Sequence, residues 1–476
     1  MKAVALTAAA RPVYGASVST SLRLTDRAGR RLLATAVTGS GLVFLDGTVA
    51  NVALPRIGTE LDAELAGLQW VVNGYTLALA SLILVGGSLG DRLGRKRVFG
   101  WGTVGFALAS VLVAVAPTIE LLVAARVLQG VAAALLTPGS LALLQAGFHP
   151  DDRMKAIGAW TGMLGVATAG GPVLGGWLVG IDWRIAFWIN LPIAALVLWL
   201  LRTAPESRDA EAAGRYDVAG LLLAPIALAG ITWALTAWPG QGAPAAAVVG
   251  VVAGVAFVVA QRHASHPMTP PKLFASRVFT VINLVTLFVY AALAGSMFFL
   301  AVYLQVTAGW TPLEAGAATV PVSVVMLFLA SWFGGYATRH GARTPMVAGA
   351  LVLAAGLALL ALAPDRPNFL LHILPGVLLQ GFGLSMLVAP LTGTVLAAVP
   401  DSRSGVASGI NNAVSRTAGL LAIAALPLLV GLSGDDYRIP HQVADAYRAS
   451  MWWCAGWVLV GAALTFVGLR PDRQRR

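Results

Sequence analysis

The chain of 476 residues reads as a series of apolar stretches separated by short polar breaks. Most stretches run to about 20 residues, the length a helix needs to cross a hydrocarbon layer roughly 30 Å thick. Fourteen spans are predicted, near 32–54, 70–90, 98–116, 120–146, 156–179, 185–201, 218–238, 244–261, 279–304, 314–337, 345–363, 369–397, 404–432 and 450–469. The expected fold is an all-α membrane protein: two six-helix bundles related by a pseudo-repeat, plus two extra linker helices. The corresponding segments are a cytoplasmic arm (1–31), the first bundle (32–201), cytoplasmic loops with two extra transmembrane helices (202–277), the second bundle (278–469) and a basic tail (470–476).

Composition agrees with this reading. Hydrophobic residues make up 58% of the chain and charged residues 11%, against about 25% charged in soluble domains. The net charge of +11 raises the question of nucleic acid, but the basic residues sit in short clusters between apolar runs, with no continuous basic face. They track membrane topology instead, because cytoplasmic loops are enriched in Lys and Arg. With the N-terminus inside and fourteen spans, 25 of the 32 Lys and Arg fall on cytoplasmic segments, and 5 (Arg56, Arg184, Arg366, Arg438 and Arg448) fall outside. Arg126 and Arg416 lie within spans. The expected location is the inner (plasma) membrane, multi-pass, with both termini cytoplasmic. The basic first 31 residues have no apolar core before a small-residue cleavage site, so no cleaved signal is expected.

The repeat is visible in two echoes. Gly87-Ser88-Leu89-Gly90-Asp91-Arg92-Leu93-Gly94-Arg95-Lys96 returns in weakened form at Gly334–Arg343, and Gln129-Gly130 returns as Gln380-Gly381. Duplicated helix bundles with a site between them are common among transporters.

The first of these segments also carries a resemblance: it is similar to the signature loop of the major facilitator superfamily. Leu45-Asp46-Gly47-Thr48-Val49-Ala50-Asn51-Val52-Ala53-Leu54-Pro55 resembles the first-span pattern of that family's fourteen-helix drug:proton antiporter branch. Arg126-Val127-Leu128-Gln129-Gly130 resembles its fourth-helix motif, and Gly165 with Gly171-Pro172-Val173-Leu174-Gly175-Gly176 its fifth-helix antiporter motif. The resemblance implies alternating access, with Gly87, Asp91, Arg92, Gly94 and Arg95 as a conformational gate. It also implies that Gly165, Gly171, Pro172, Gly175 and Gly176 form the helix contact that rocks between the two states.

Asp46 and Arg126 stand out on physical grounds as well. Charge within the bilayer costs several kcal/mol and persists with a partner, a wet cavity or a task. At 1.5 Å per residue both lie about 10–14 Å below the outer face, close enough to meet. A structural ion pair is one reading. The other is that Asp46 takes up a proton or a cationic substrate, one displacing the other, while Arg126 adjusts its affinity. Arg416 sits near midplane with no acid in its own helix, so it either faces the cavity and holds an anionic or polar group or bonds helix carbonyls. Asn51, Gln129, Gln305 and Gln380 complete the candidate proton- and substrate-binding set, although interhelical hydrogen bonds are the commoner use of such groups.

Other classes are disfavoured. The single cysteine, Cys454, rules out an intramolecular disulfide, and His263 and His266 lie beside a linker without further metal ligands, so no metal site is expected. No Ser/His or His/Glu set at matched depth suggests an enzyme, and no phosphate-binding loop suggests ATP drive. The expectation is a monomeric proton-coupled antiporter without cofactor, exporting small lipophilic molecules such as drugs, antibiotics or natural products. Its partners are the lipid bilayer, the small-molecule substrate and protons, with no nucleic acid. The alternative is a proton-linked importer or symporter of a small metabolite. A reporter fused after Arg476 should read cytoplasmic; a periplasmic reading would mean that the span count is odd.

Overall fold

The computed structural model describes residues 22–208, 217–265, 267–400 and 403–469, apart from the side-chain surroundings of 150, 154, 165, 166, 168, 169 and 404. Its helices are α1 (Arg27–Glu60), α2 (Leu65–Leu93), α3 (Arg95–Ala114), α4 (Ile119–Gly147), α5 (Pro150–Ile181), α6 (Ile185–Leu201, interrupted at Ile189) and α7 (Val218–Thr236). They continue as α8 (Ala243–His263), α9 (Arg277–Val306), α10 (Pro312–His340), α11 (Arg343–Ala361), α12 (Phe369–Ala397), α13 (Ser404–Val430) and α14 (Pro440–Gly468). Among the described residues, 12 helices are long and apolar enough to cross a membrane; α5 and α6 are outside that set, represented by the shorter apolar pieces Gly170–Ile181 and Ile185–Leu201. Among the described residues, one β-bridge joins Leu22 to Phe148.

Several helices extend beyond the predicted spans: α1 runs on to Glu60, α2 begins at Leu65 and α5 at Pro150. Helix α1 starts at Arg27, so Arg27, Arg30 and Arg31 belong to its first two turns rather than to the arm assigned to 1–31; residues 1–21 of that arm lie outside the described residues. Helix α14 starts at Pro440, ten residues before the apolar run, because Pro fits the first helical position, where its missing N–H costs nothing. His441, Gln442, Asp445 and Arg448 make the first two turns of this helix polar, which hydropathy reads as loop.

In the first half of the chain, α4 lies along α2 and α3, and α1 lies along α5, α4 and α6. In the second, α12 lies along α10 and α11, while α9 and α11 both pack on α14. The Gln-Gly echoes sit in matching places. A Cβ on Gly130 would stand 2.3 Å from the Tyr75 carbonyl of α2, and one on Gly381 would stand 3.0 Å from the Val322 carbonyl of α10. Both glycines let a fourth helix touch the backbone of a second.

The two halves meet in α5 against α10 and in α2 against α13. Gly176 and Gly316 bring the first of these pairs into backbone contact: added Cβ atoms would lie 2.4 Å from the Pro312 carbonyl and 2.1 Å from the Pro172 carbonyl, respectively. Hydrogen bonds between the halves lie toward this same end. Gln305 Nε2 donates to the Val52 carbonyl at 3.1 Å, Gln69 Nε2 to that of Ile423 at 2.7 Å, and the Tyr437 hydroxyl to that of Ala63 at 2.6 Å. Arg438 pairs with Asp62 at 2.9 Å. Arg438 is one of five arginines assigned outside; Arg184 pairs with Glu60, Arg448 with Asp365 and Asp445, and Arg56 caps the Val179 and Gly180 carbonyls. Each of these four is thereby neutralised or bonded at its own end of the bundle.

Helices α7 and α8 form a hairpin whose backbones touch at Gly230 and Gly250, where added Cβ atoms would stand 2.7 and 2.6 Å from the opposite helix. At its base the Asp217 carboxylate accepts from Gly220 N, Met268 N and Gln261 Nε2. Burial opposes its charge, but these donors outweigh it and hold the carboxyl below its usual range.

Two adjacent glycines of α2 separate packing from motif. A Cβ on Gly86 would meet the Ala134 carbonyl at 2.0 Å, whereas one on Gly87 would find Pro138 at an ordinary 3.6 Å. Gly86→Val should therefore lower the melting temperature of the purified protein, in line with an overpacking cost of about 1–3 kcal/mol, while Gly87→Ala should leave it within about 0.5 kcal/mol of wild type.

Candidate functional site

The two mid-span charges of the first half meet. Arg126 Nη1 of α4 donates to Asp46 Oδ2 of α1 at 2.5 Å, and both side chains are sealed from solvent, at 1% and 0% exposure. Water is excluded, so the carboxylate depends on protein donors alone. Gln129 Nε2 donates to Asp46 Oδ1 at 2.8 Å, and Asn190 Nδ2 of α6 donates to the same oxygen at 3.0 Å. Both amides also reach the Ser110 hydroxyl of α3, at 2.9 and 3.1 Å. The guanidinium is equally constrained: it donates to Gln129 Oε1 at 2.6 Å and to the Val71 carbonyl of α2 at 3.1 Å, and it lies over the Tyr75 ring at 4.3 Å.

This polar knot draws on five helices, α1, α2, α3, α4 and α6. Ser110, Asn190 and Tyr75 were not legible as site residues. A serine and an asparagine in an apolar span carry no signal of their own, and their relevance comes from facing Asp46. Gln129 was legible through its place three residues after Arg126, which puts both on one helix face.

The remaining polar candidates do not converge on Asp46. Gln305 crosses to the Val52 carbonyl of α1. Gln380 is fully buried in α12, and neither of its amide atoms has a partner among the described residues. Asn51 bonds the Gly47 carbonyl of its own helix at 3.3 Å, and its Oδ1 is unpartnered. Arg416 is half-buried in α13, with its guanidinium carbon 5.7 Å from the Phe44 ring. Asn411, one turn away, donates to Thr286 Oγ1 at 2.8 Å and Asn283 Oδ1 at 3.2 Å, an interhelical clamp. Phe44 and Asp46 are two residues apart, so they point about 200° apart around α1. Asp46 therefore faces the interior of the first half, and Phe44, with Arg416, faces the second half.

Sequence comparison fixes what kind of protein carries this site. A model of the Major Facilitator Superfamily matches residues 36–423 and again 282–476. The puromycin resistance protein pur8 of Streptomyces alboniger is 35% identical over 448 residues, covering 90% of this chain and 88% of the relative. The chain belongs to the Major Facilitator Superfamily. The tetracenomycin C resistance and export protein of Streptomyces glaucescens is 33% identical, over 87% of this chain and 78% of the relative. The same fold is seen in the POT family transporter PepTSo, with a TM-score of 0.68 over 94% of this chain and 99% of that one, at 16% identity. The resemblance read from the loop and the helix motifs is borne out at the level of the family, and the chain is a multi-pass membrane transporter, not an enzyme.

The family's loop motif is held tightly within its own half. Gly94, at φ +110°, joins α2 directly to α3, a backbone conformation that L side chains rarely adopt. Asp91 Oδ1 accepts from Arg95 Nε at 3.0 Å and Nη2 at 2.8 Å. The Glu206 carboxylate lies over Gly94 and accepts from Lys96 N at 3.0 Å, and Lys96 Nζ reaches the Arg202 carbonyl at 2.9 Å. Gly87 and Arg92 lie in the last two turns of α2.

The fifth-helix motif divides between two neighbours. Added Cβ atoms on Gly171 and Gly175 would meet Thr48 at 2.6 Å and Val49 at 2.7 Å, both on α1, whereas Gly176 and Pro172 touch the start of α10 in the other half. Gly165 is helical, and its surroundings lie outside the described residues.

Asn190→Ala should remove one hydrogen bond to a buried charge, a loss of about 1.5–3 kcal/mol. Thermal unfolding of Asn190→Ala, Asp46→Asn and the double variant checks this: the Asn190 effect should shrink once Asp46 is neutral, and equal effects in both backgrounds would contradict the assignment.

Proposed function

We propose that the protein is a proton-driven antiporter that exports small lipophilic molecules, such as drugs, antibiotics or natural products, by alternating access. The observation that carries this reading is the Asp46 carboxylate. It is a buried acid held at one interface of five helices by Arg126, Gln129 and Asn190. Protonation neutralises one member of the pair, releasing the charge-assisted bond to Arg126 and with it the restraint between α1 and α4. Arg126 also touches Tyr75 and the α2 backbone, so the change is passed to the helix that packs on α13 across the interface. Resistance and export proteins at 33–35% identity over most of the chain support an exporter.

In this reading Asp46 exchanges a proton and does not touch cargo, because it faces away from the interface in which cargo would sit. That narrows the sequence expectation, under which a cationic substrate competed for the same carboxylate. The chain crosses the inner membrane fourteen times, with α1–α6 and α9–α14 as two bundles, α7 and α8 as linker helices and both termini cytoplasmic. It acts as a monomer without cofactor. Contacts of Gly176, Gly316, Gln69 and Arg438 then close the outer end, and the conformation is the one closed to the outside.

Expression in an efflux-deficient host tests the proposal. Wild type should raise resistance to at least one drug in a susceptibility panel, and everted vesicles should accumulate that drug only with a proton gradient. Asp46→Asn should abolish gradient-driven accumulation while the protein remains in the membrane at wild-type amounts. Undiminished accumulation by the variant would overturn the role of Asp46. Gly176→Leu, whose side chain cannot coexist with the Pro312 backbone, should reduce turnover at least tenfold by preventing outer closure, with insertion unaffected.

A further inference from the structure

The membrane interior of the described helices holds three charges near mid-span, and two of them, Asp46 and Arg126, neutralise each other. The third, Arg416, has no hydrogen bond or ion pair among the described residues. A lone guanidinium at this depth is costly unless something answers its charge. Among the described residues, no carboxylate pairs with it. Its ring neighbour is Phe44, at a distance within cation–π range, and its field reaches the phenols of Tyr75 and Tyr290.

The face of α1 that Arg416 meets is open. Gly41 and Gly47 have no atom within 4 Å of an added Cβ, and Phe44, Thr48 and Asn51 beside them are half-buried. Two polar atoms at this border await partners: the Tyr75 hydroxyl, on a residue 4% exposed, and Asn51 Oδ1. Buried polar atoms without partners are rare and point to a group that binds there. Arg416 and Tyr75 are donors suited to an anion, Phe44 presents an aromatic face, and Asn51 Oδ1 accepts from a donor. Asn51 lies seven residues beyond Phe44, about 10 Å along the same helix face.

We propose that Arg416, Phe44, Tyr75 and Asn51 form the cargo-recognition site, and that it takes a flat aromatic anion, with a carboxylate or acidic phenol at one end and a hydrogen-bond donor at the other. The inference rests on the exporter reading for its meaning as a cargo site, but the binding itself needs no gradient. A lipophilic cation is disfavoured at this position, since its charge would face an unneutralised guanidinium in a medium that screens poorly.

Equilibrium dialysis of the purified full-length protein against 6-hydroxy-2-naphthoate and its neutral analogue 6-hydroxy-2-naphthamide tests the site. Wild type should bind the acid at least about tenfold more tightly than the amide, the scale of one charge-assisted hydrogen bond. Arg416→Gln should erase that preference, and Arg416→Lys, which keeps the charge, should retain part of it. Equal binding of acid and amide by wild type, a preference that survives Arg416→Gln, or no saturable binding of the acid would each overturn the proposal. Charge-selective binding without gradient-driven export in vesicles would instead refute the exporter reading and leave the site standing.

Discussion

One carboxylate and one guanidinium share a space without water, and the packing of the first six helices is organised around keeping both of them bonded. Neither Asp46 nor Arg126 is tolerable alone at this depth. Removing one partner of a buried pair typically costs about 3–5 kcal/mol, because the survivor is left charged and unsolvated. The amides of Gln129 and Asn190 and the hydroxyl of Ser110 spread the remaining lone pairs over four helices. Such a knot fixes the register of α1 against α4 and α6 more sharply than apolar contacts can.

The second half has the same helix pairing and a different interior. Gly381 repeats the close approach that Gly130 makes, yet Gln380 has no acid to bond and Val377 stands three residues before it, where Arg126 precedes Gln129. The mid-span charge of that half, Arg416, faces outward toward α1. The two halves thus share backbone contacts and differ in chemistry, with a sealed internal pair on one side and a half-buried cation on the other.

The sequence disclosed what was rare and hid what was ordinary. Asp46 and Arg126 were legible because charges inside apolar runs are conspicuous, and counting helix rise from the span ends put them at one depth. The glycine motif was legible as a close contact, but not its division between α1 and α10, which depends on how α5 is rotated. Ser110 and Asn190 were hidden because small polar residues in a membrane helix usually bond their own backbone, as Ser110 also does through the Phe106 carbonyl. The start of α14 was hidden because the two polar turns after Pro440 look like loop to any hydropathy count. The orientation of Arg416 toward Phe44 required the two halves to be assembled.

The extra hairpin described above has a further consequence for how molecules reach the interface. Helix α7 packs on both α2 and α13 and brings Trp233 against Trp70, with ring centroids 5.8 Å apart. It therefore covers the seam between these two helices, while the opposite seam, between α5 and α10, has no such strap across it among the described residues. The two flanks of the protein are inequivalent toward lipid: a hydrophobic compound dissolved in the bilayer meets a wall on the hairpin side and a bare joint on the other.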